Sequence, residues 1–242
     1  PKGKIHLTGK GKPKTPQINS KEAKGLILDG QGWSNNNRTS FYDSLSKEQL
    51  LSRLANWSPT VRERAGMALG RSKDLVVDQL ISMLNSSNLY SQLGACQALK
   101  FQGARGAKAV PALLNSLQAD DLWLRILSAE ALAGIGESAR VAVPLMLERL
   151  SQTSSVNDPR KMEQRYLSFS LFSKRGGLIG RSLDGVDRNL LIKSVQDGLL
   201  NEDGRARGAL GSVYENLSFD EIKPLLPAIH EAILNPSPSG IM

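Results

Sequence analysis

The sequence predicts an all-α protein: a curved, right-handed α-solenoid of about five stacked helical hairpins behind an irregular N-terminal arm. Three observations carry that prediction. Leucine anchors at Leu54, Leu84, Leu117 and Leu150 recur at spacings of 30, 33 and 33 residues. Small residues follow 11 and 14 positions beyond the first three anchors, at Ala65 and Ala68, Ala95 and Ala98, Ser128 and Ala131. The second of each pair precedes a leucine, namely Leu69, Leu99 and Leu132. Small side chains one helical turn apart let helix axes approach, and leucines fill the layer between them. A single hairpin cannot hide its own apolar face, so consecutive hairpins must stack.

Composition agrees. The chain has 242 residues, 40% hydrophobic and 5% aromatic, enough to bury a core and unlike a disordered segment. No run approaches the ~18 apolar residues of a membrane helix, so no membrane insertion is expected. The lone Cys96 excludes an internal disulfide framework and a multi-cysteine zinc site. With only His6 and His230, neither a histidine-rich metal site nor a Ser-His-Asp arrangement is expected, and no catalytic residue, metal or cofactor is assigned.

Net charge is +8, but it is unevenly placed. Residues 1–24 hold seven lysines and one acid, Glu22, leaving residues 25–242 with 24 Lys/Arg against 22 Asp/Glu. The basicity belongs to the arm and the body is nearly neutral, whereas a duplex-binding domain concentrates cations on its folded surface.

Along the chain, residues 4–8 alternate polar and apolar and predict a short strand, and 20–28 predict a short helix. The run 30–40 is turn-rich and predicts an exposed connection. Residues 1–45 are therefore read as a basic extended arm or the remnant of a preceding domain, and 46–235 as the solenoid. The opening at Pro1 predicts a segment of a longer polypeptide. Ser46 with Gln49 is a capping-box signature, and Ser58-Pro59 places a cap residue before a first-turn proline. Pro111 and Pro144 fall early in the first helices of units three and four. The fourth unit pairs 140–151 with 159–173, and seven inserted residues put Arg165, Ser168, Leu171 and Phe172 on the repeat register. A fifth unit pairs 187–200 with 204–217; Ser218 and Glu221 cap a last helix over 219–234, and 236–242 predict a disordered tail. Glycines 70, 103, 136 and 211 mark expected helix C-termini.

These units resemble HEAT repeats, above all the short bacterial variety related to phycobilisome lyase repeats. In that family the second helix opens with Val-Arg and runs into an Ala-rich, Leu-Gly ending. Val61-Arg62 and Leu124-Arg125 match that opening, and Gln92 replaces the arginine in unit two. The resemblance covers about residues 46–217 and implies the architecture; HEAT arrays serve many roles, and the adopted expectation is a noncatalytic scaffold. The segments "HLTGKGK" and "WSPTVRERAGMALG" further resemble a bacterial family in which HEAT repeats follow larger upstream domains, which implies a C-terminal piece of such a protein. Chromophore-lyase activity rests on the resemblance alone.

Several residues stand out against that background. Arg62, Arg125 and Arg165 share a repeat position. They form either a cationic ladder for acidic ligands or, as the adopted expectation, a series of charge-assisted bonds to the inter-helix turns, by way of turn carbonyls or the carboxylates of Asp120 and Asp121. Trp57, Tyr90 and Trp123 fall at the same turns, where they either line one rim or close the ends of the hydrophobic core against the next unit. With Arg64 and Gln97 they are the predicted contacts for a protein partner or a neighbouring domain of the same polypeptide. Arg175 and Arg181 lie in a glycine-rich stretch that lacks the Gly-Lys-Ser/Thr ending of a P-loop, and with Arg205 and Arg207 they form a candidate anion-binding set. The alternative function is nucleic-acid binding, which requires the arm and those four arginines to converge on one surface. His230-Glu231 is a single pair, too few for the di-iron site of the HEAT-fold deoxyhypusine hydroxylases. Trp123 beside Asp120 and Asp121 resembles the pocket of the HEAT-like alkylpurine glycosylases, without the basic groove those enzymes need. Cys96 falls among core positions and reads as a small buried hydrophobe. A monomer is expected, and the compartment is left open.

Overall fold

The computed structural model describes residues 35–152, 157–200, 207–208 and 210–235. The strand expected over 4–8, the helix over 20–28, the tail 236–242 and Arg205 lie outside them. The described residues form helices and no strand. They stack as an all-α solenoid.

The first helix is a departure. Residues 30–40 were expected to be an exposed connection, yet α1 spans Asn35–Asp43. Its polar sequence carries no apolar stripe. It is held at its C-terminal end, where Tyr42 and Leu45 are buried in the main core and Asp43 pairs with Arg71 at 2.6 Å. One anchored end suffices to keep a weak helix former docked.

Paired helices follow: α2 (Lys47–Leu54) with α3 (Pro59–Arg71), α4 (Val77–Leu84) with α5 (Leu89–Gln102), and α6 (Val110–Ser116) with α7 (Leu122–Ile135). Then come α8 (Val143–Leu150) with α9 (Met162–Phe172), α10 (Arg188–Leu199) and α11 (Gly211–Tyr214). The chain closes with α12 (Phe219–Ile222) and α13 (Leu226–Leu234). Short 3-10 segments, Gly103–Ala109 and Glu137–Ala142, lead into α6 and α8. The second helices form one layer, α3 on α5, α5 on α7, α7 on α9 and α9 on α11. The first helices form the other, with α4 against α6, α8 against α10 and α10 against α13. All four leucine anchors are buried in the single core between the layers.

Local chemistry explains the element ends. Ser46 and Gln49 make the capping box, each side chain taking the other's backbone N–H at 3.3 and 3.1 Å. Ser218 and Glu221 repeat it at α12. Ser58 occupies the cap position of α3, but its hydroxyl makes no cap bond; the first-turn Pro59 sets that start instead. Gly103 and Gly136, at φ 57° and 82°, end α5 and α7 in a left-handed conformation that other residues resist.

One of the four expected C-terminal glycines does something else, and another does more. Gly70 is the penultimate residue of α3, where an added Cβ would also sit 2.6 Å from Phe101 of α5. Gly211 opens α11. Gly66 likewise would place a Cβ 3.0 Å from Ala98, Gly134 would drive one onto the Lys100 carbonyl, and Gly94 onto that of Leu54. Glycine, as much as the alanine pairs, sets the close approaches between neighbouring helices. The expected single helix over 219–234 is divided into α12, a 3-10 turn and α13, since Pro224 and Pro227 each withhold a backbone donor.

Candidate functional site

The second-helix layer has two edges. One is built from the turns that join first to second helices and carries the N-terminal ends of α3, α5, α7 and α9. The other carries their C-terminal ends. Each edge is fastened by side chains that donate to turn carbonyls.

At the N-terminal edge, Arg62 is buried and donates through Nη1 to the carbonyls of Asn56 and Trp57, at 2.8 and 2.9 Å. Its Nε reaches the Gln97 side-chain carbonyl at 3.1 Å, tying α3 to α5. In unit two Gln92 does the same work, donating to the carbonyls of Leu84 and Ser86 at 3.2 and 2.9 Å. In unit three Arg125 donates to the carbonyls of Ala119 and Asp120 at 2.9 and 2.7 Å. The adopted expectation holds through carbonyls rather than through the Asp120 or Asp121 carboxylates. Asp121 instead caps α7, accepting from the Leu124 N–H at 2.8 Å.

Unit four corrects the register. Gln164, not Arg165, donates to the turn, reaching the Gln152 carbonyl at 3.2 Å, and it is buried as Arg125 is. The repeat position therefore falls one residue earlier than the expected alignment. Arg165 stacks over the Tyr166 ring at 5.6 Å. Inside the same unit Glu163 is buried and accepts from Arg125 Nε and Nη2 at 3.0 and 2.8 Å and from Arg149 Nε at 2.7 Å. Burial alone would raise this carboxyl, but hydrogen bonds from Arg125 and Arg149 prevail and hold it below the usual carboxylate range. The same hydrogen bonds hold the Arg125 guanidinium above its ordinary value. Asp158, also buried, accepts from the N–H groups of Met162 and Glu163 at 2.8 Å and fixes the start of α9. Nothing in the sequence singled out Glu163, because the insertion hides which residues of α9 face unit three.

With the turns pinned, the aromatic side chains on this edge stand out. Trp57 is 67% exposed, Tyr90 46% and Trp123 47%. Arg62 lies over the Tyr90 ring at 5.7 Å, and Trp123 meets Tyr166 edge-on at 6.4 Å between centroids. Tyr166 is an addition to the predicted rim, hidden by the same insertion. Gln97 is committed to Arg62, and Arg64 turns toward α1, where with Arg38 and Glu63 it lines a cavity of about 320 Å³.

The C-terminal edge has its own fasteners. Arg105 donates to the carbonyls of Gly70 and Ser72 at 2.6 and 2.8 Å, and Arg140 to those of Leu178 and Asp184 at 2.9 and 2.5 Å. Arg175 and Arg181 line a cleft of about 710 Å³ on this edge. Arg207 does not join them: it donates to the Ala232 and Asn235 carbonyls at the end of α13. Cys96 is fully buried, lies 3.4 Å from the Ser128 hydroxyl, and burial pushes its thiol up to about 12, out of reach of thiolate chemistry.

This architecture coincides with a family assignment. A model of HEAT repeats matches residues 48–133 and 77–161. Residues 48–161 are HEAT repeats. No curated protein and no solved structure matches the chain. HEAT repeats are typically noncatalytic scaffolds for protein interaction, and among the described residues no helix is long and apolar enough to cross a membrane. The HEAT matches end within α9's approach, and the two-layer packing continues beyond them through α9, α10 and α13.

Proposed function

We propose that this chain is a noncatalytic HEAT-repeat scaffold, acting as a monomer, that grips a protein partner or a neighbouring domain along the aromatic edge of its second-helix layer. The carrying observation is the contrast on one edge. Arg62, Gln92, Arg125 and Gln164 are consumed in fastening turns, while Trp57, Tyr90 and Trp123 are left facing solvent. Large rings on a preformed frame bury much area for little ordering entropy, which is what interface anchors require. The concave face of a curved array lies along these helices and extends the contact. The nucleic-acid alternative is less well supported, because Arg207 is engaged at the end of α13, apart from Arg175 and Arg181.

Photocrosslinking tests this reading. A benzophenone amino acid at position 57, 90 or 123 is compared with one at Leu75 or Val141, exposed apolar residues at the opposite edge. The expected result, in cells that express the protein, is one discrete, nuclease-resistant protein adduct shared by the first three positions and absent from the other two. Adducts from all five positions alike, or only nuclease-sensitive ones, count against it.

A further inference from the structure

The cleft at the C-terminal edge goes beyond that reading and stands separately from it, since it shares no residue with the aromatic rim. It lies where α5, α7 and α9 end and is closed by the loop 173–182. That loop is fixed by many independent ties. The N–H groups of Leu178 and Ile179 donate to the carbonyls of Ser170 and Leu171, both at 2.9 Å. Gly177 packs so tightly that an added Cβ would come within 2.5 Å of the Leu171 carbonyl, and Arg140 holds the far side through three backbone carbonyls. The cleft is therefore preformed, and its volume of about 710 Å³ suits a short peptide stretch.

Its lining is mixed. The Arg175 side chain is exposed and, among the described residues, makes no hydrogen bond or ion pair, while its carbonyl accepts from Arg181 Nη2 at 3.5 Å. Arg181 stands across the loop from it, and Lys100 is shared between Glu130 at 3.3 Å and the Phe101 ring at 5.9 Å. Phe101 and Phe169 supply the apolar wall. A continuous phosphate backbone entering this cleft meets Glu130 and Glu137 as well as the negative ends of three helices. A peptide spaces its charges, so carboxylates reach Arg175 and Arg181 while an apolar side chain fills the wall between them. We infer that the 173–182 cleft is a docking site for an acidic peptide segment that carries a large apolar residue among its carboxylates.

The test uses fluorescence anisotropy with a fluorescein-labelled octapeptide of glutamate and glycine around one phenylalanine. Its lysine counterpart and an oligothymidylate serve as comparisons. The acidic peptide is expected to bind, to weaken about tenfold with Arg175→Glu, to recover with Arg175→Lys, and to be indifferent to Trp57→Ala. Arg175→Glu is a sound probe because the side chain holds nothing in the fold. Absence of binding, equal binding of the lysine peptide, insensitivity to Arg175→Glu, or tighter Arg175-dependent binding of the oligonucleotide would each overturn the proposal. The crosslinking outcome at positions 57, 90 and 123 is unaffected by any of these results.

Discussion

Glu163 ties unit three to unit four through two arginines. It sits between two guanidinium groups, with side-chain exposures of 8% for Glu163, 9% for Arg125 and 17% for Arg149. Removing its charge strands two largely buried cations, and breaking such a cluster costs more than the intact cluster ever contributed. Glu163→Gln is expected to lower stability by about 2–3 kcal/mol in urea unfolding at neutral pH. The pH dependence follows from the depressed folded value. The Glu163 contribution is complete above the unfolded glutamate value of about 4.3 and fades as pH falls through the lower folded value. The gap between wild type and variant should therefore close in acid; a gap that persists unchanged at pH 3 would contradict the assignment. The arginines themselves were legible, because Arg62 and Arg125 recur with the repeat and a recurring turn needs a recurring donor. Glu163 was not, since a partner across an insertion leaves no period to read.

Helix spacing is set by glycine as much as by alanine. The alanine pairs visible in the repeat are buried, but the backbone contacts that leave no room for a methyl group occur at Gly94 and Gly134. Gly94→Ala must push α5 off the end of α2 and is expected to cost about 1–3 kcal/mol, seen as a lowered Tm. Gly176→Ala, with nothing within 4 Å of the new methyl, should leave Tm unchanged. Equal effects from the two would show that close approach is not what fixes the stack. Helix existence was readable throughout α2–α8 because leucine anchors, caps and prolines agreed. The readings failed where one of those signals was missing: α1 has no apolar stripe, Gly211 reads as a stop while opening α11, and Pro224 and Pro227 break an otherwise periodic run.

Across the whole molecule, the two layers share one core from Tyr42 to Ala228, yet each unit touches chiefly its neighbours. Such an array behaves as a chain of nearest-neighbour interfaces. Its fold was legible because the repeat is a statement about packing; its partners were not, because the aromatic edge and the 173–182 cleft come from residues that do not repeat. Amide hydrogen exchange on the described chain, compared with a version ending at residue 152, tests the stacking directly. Cutting there removes α9 and uncovers the face of α7. The account predicts protection lost most in α8 and α7, less in α6 and α5, and least in α2 and α3. Protection in α7 that survives the cut, or a loss spread evenly over every helix, would contradict it.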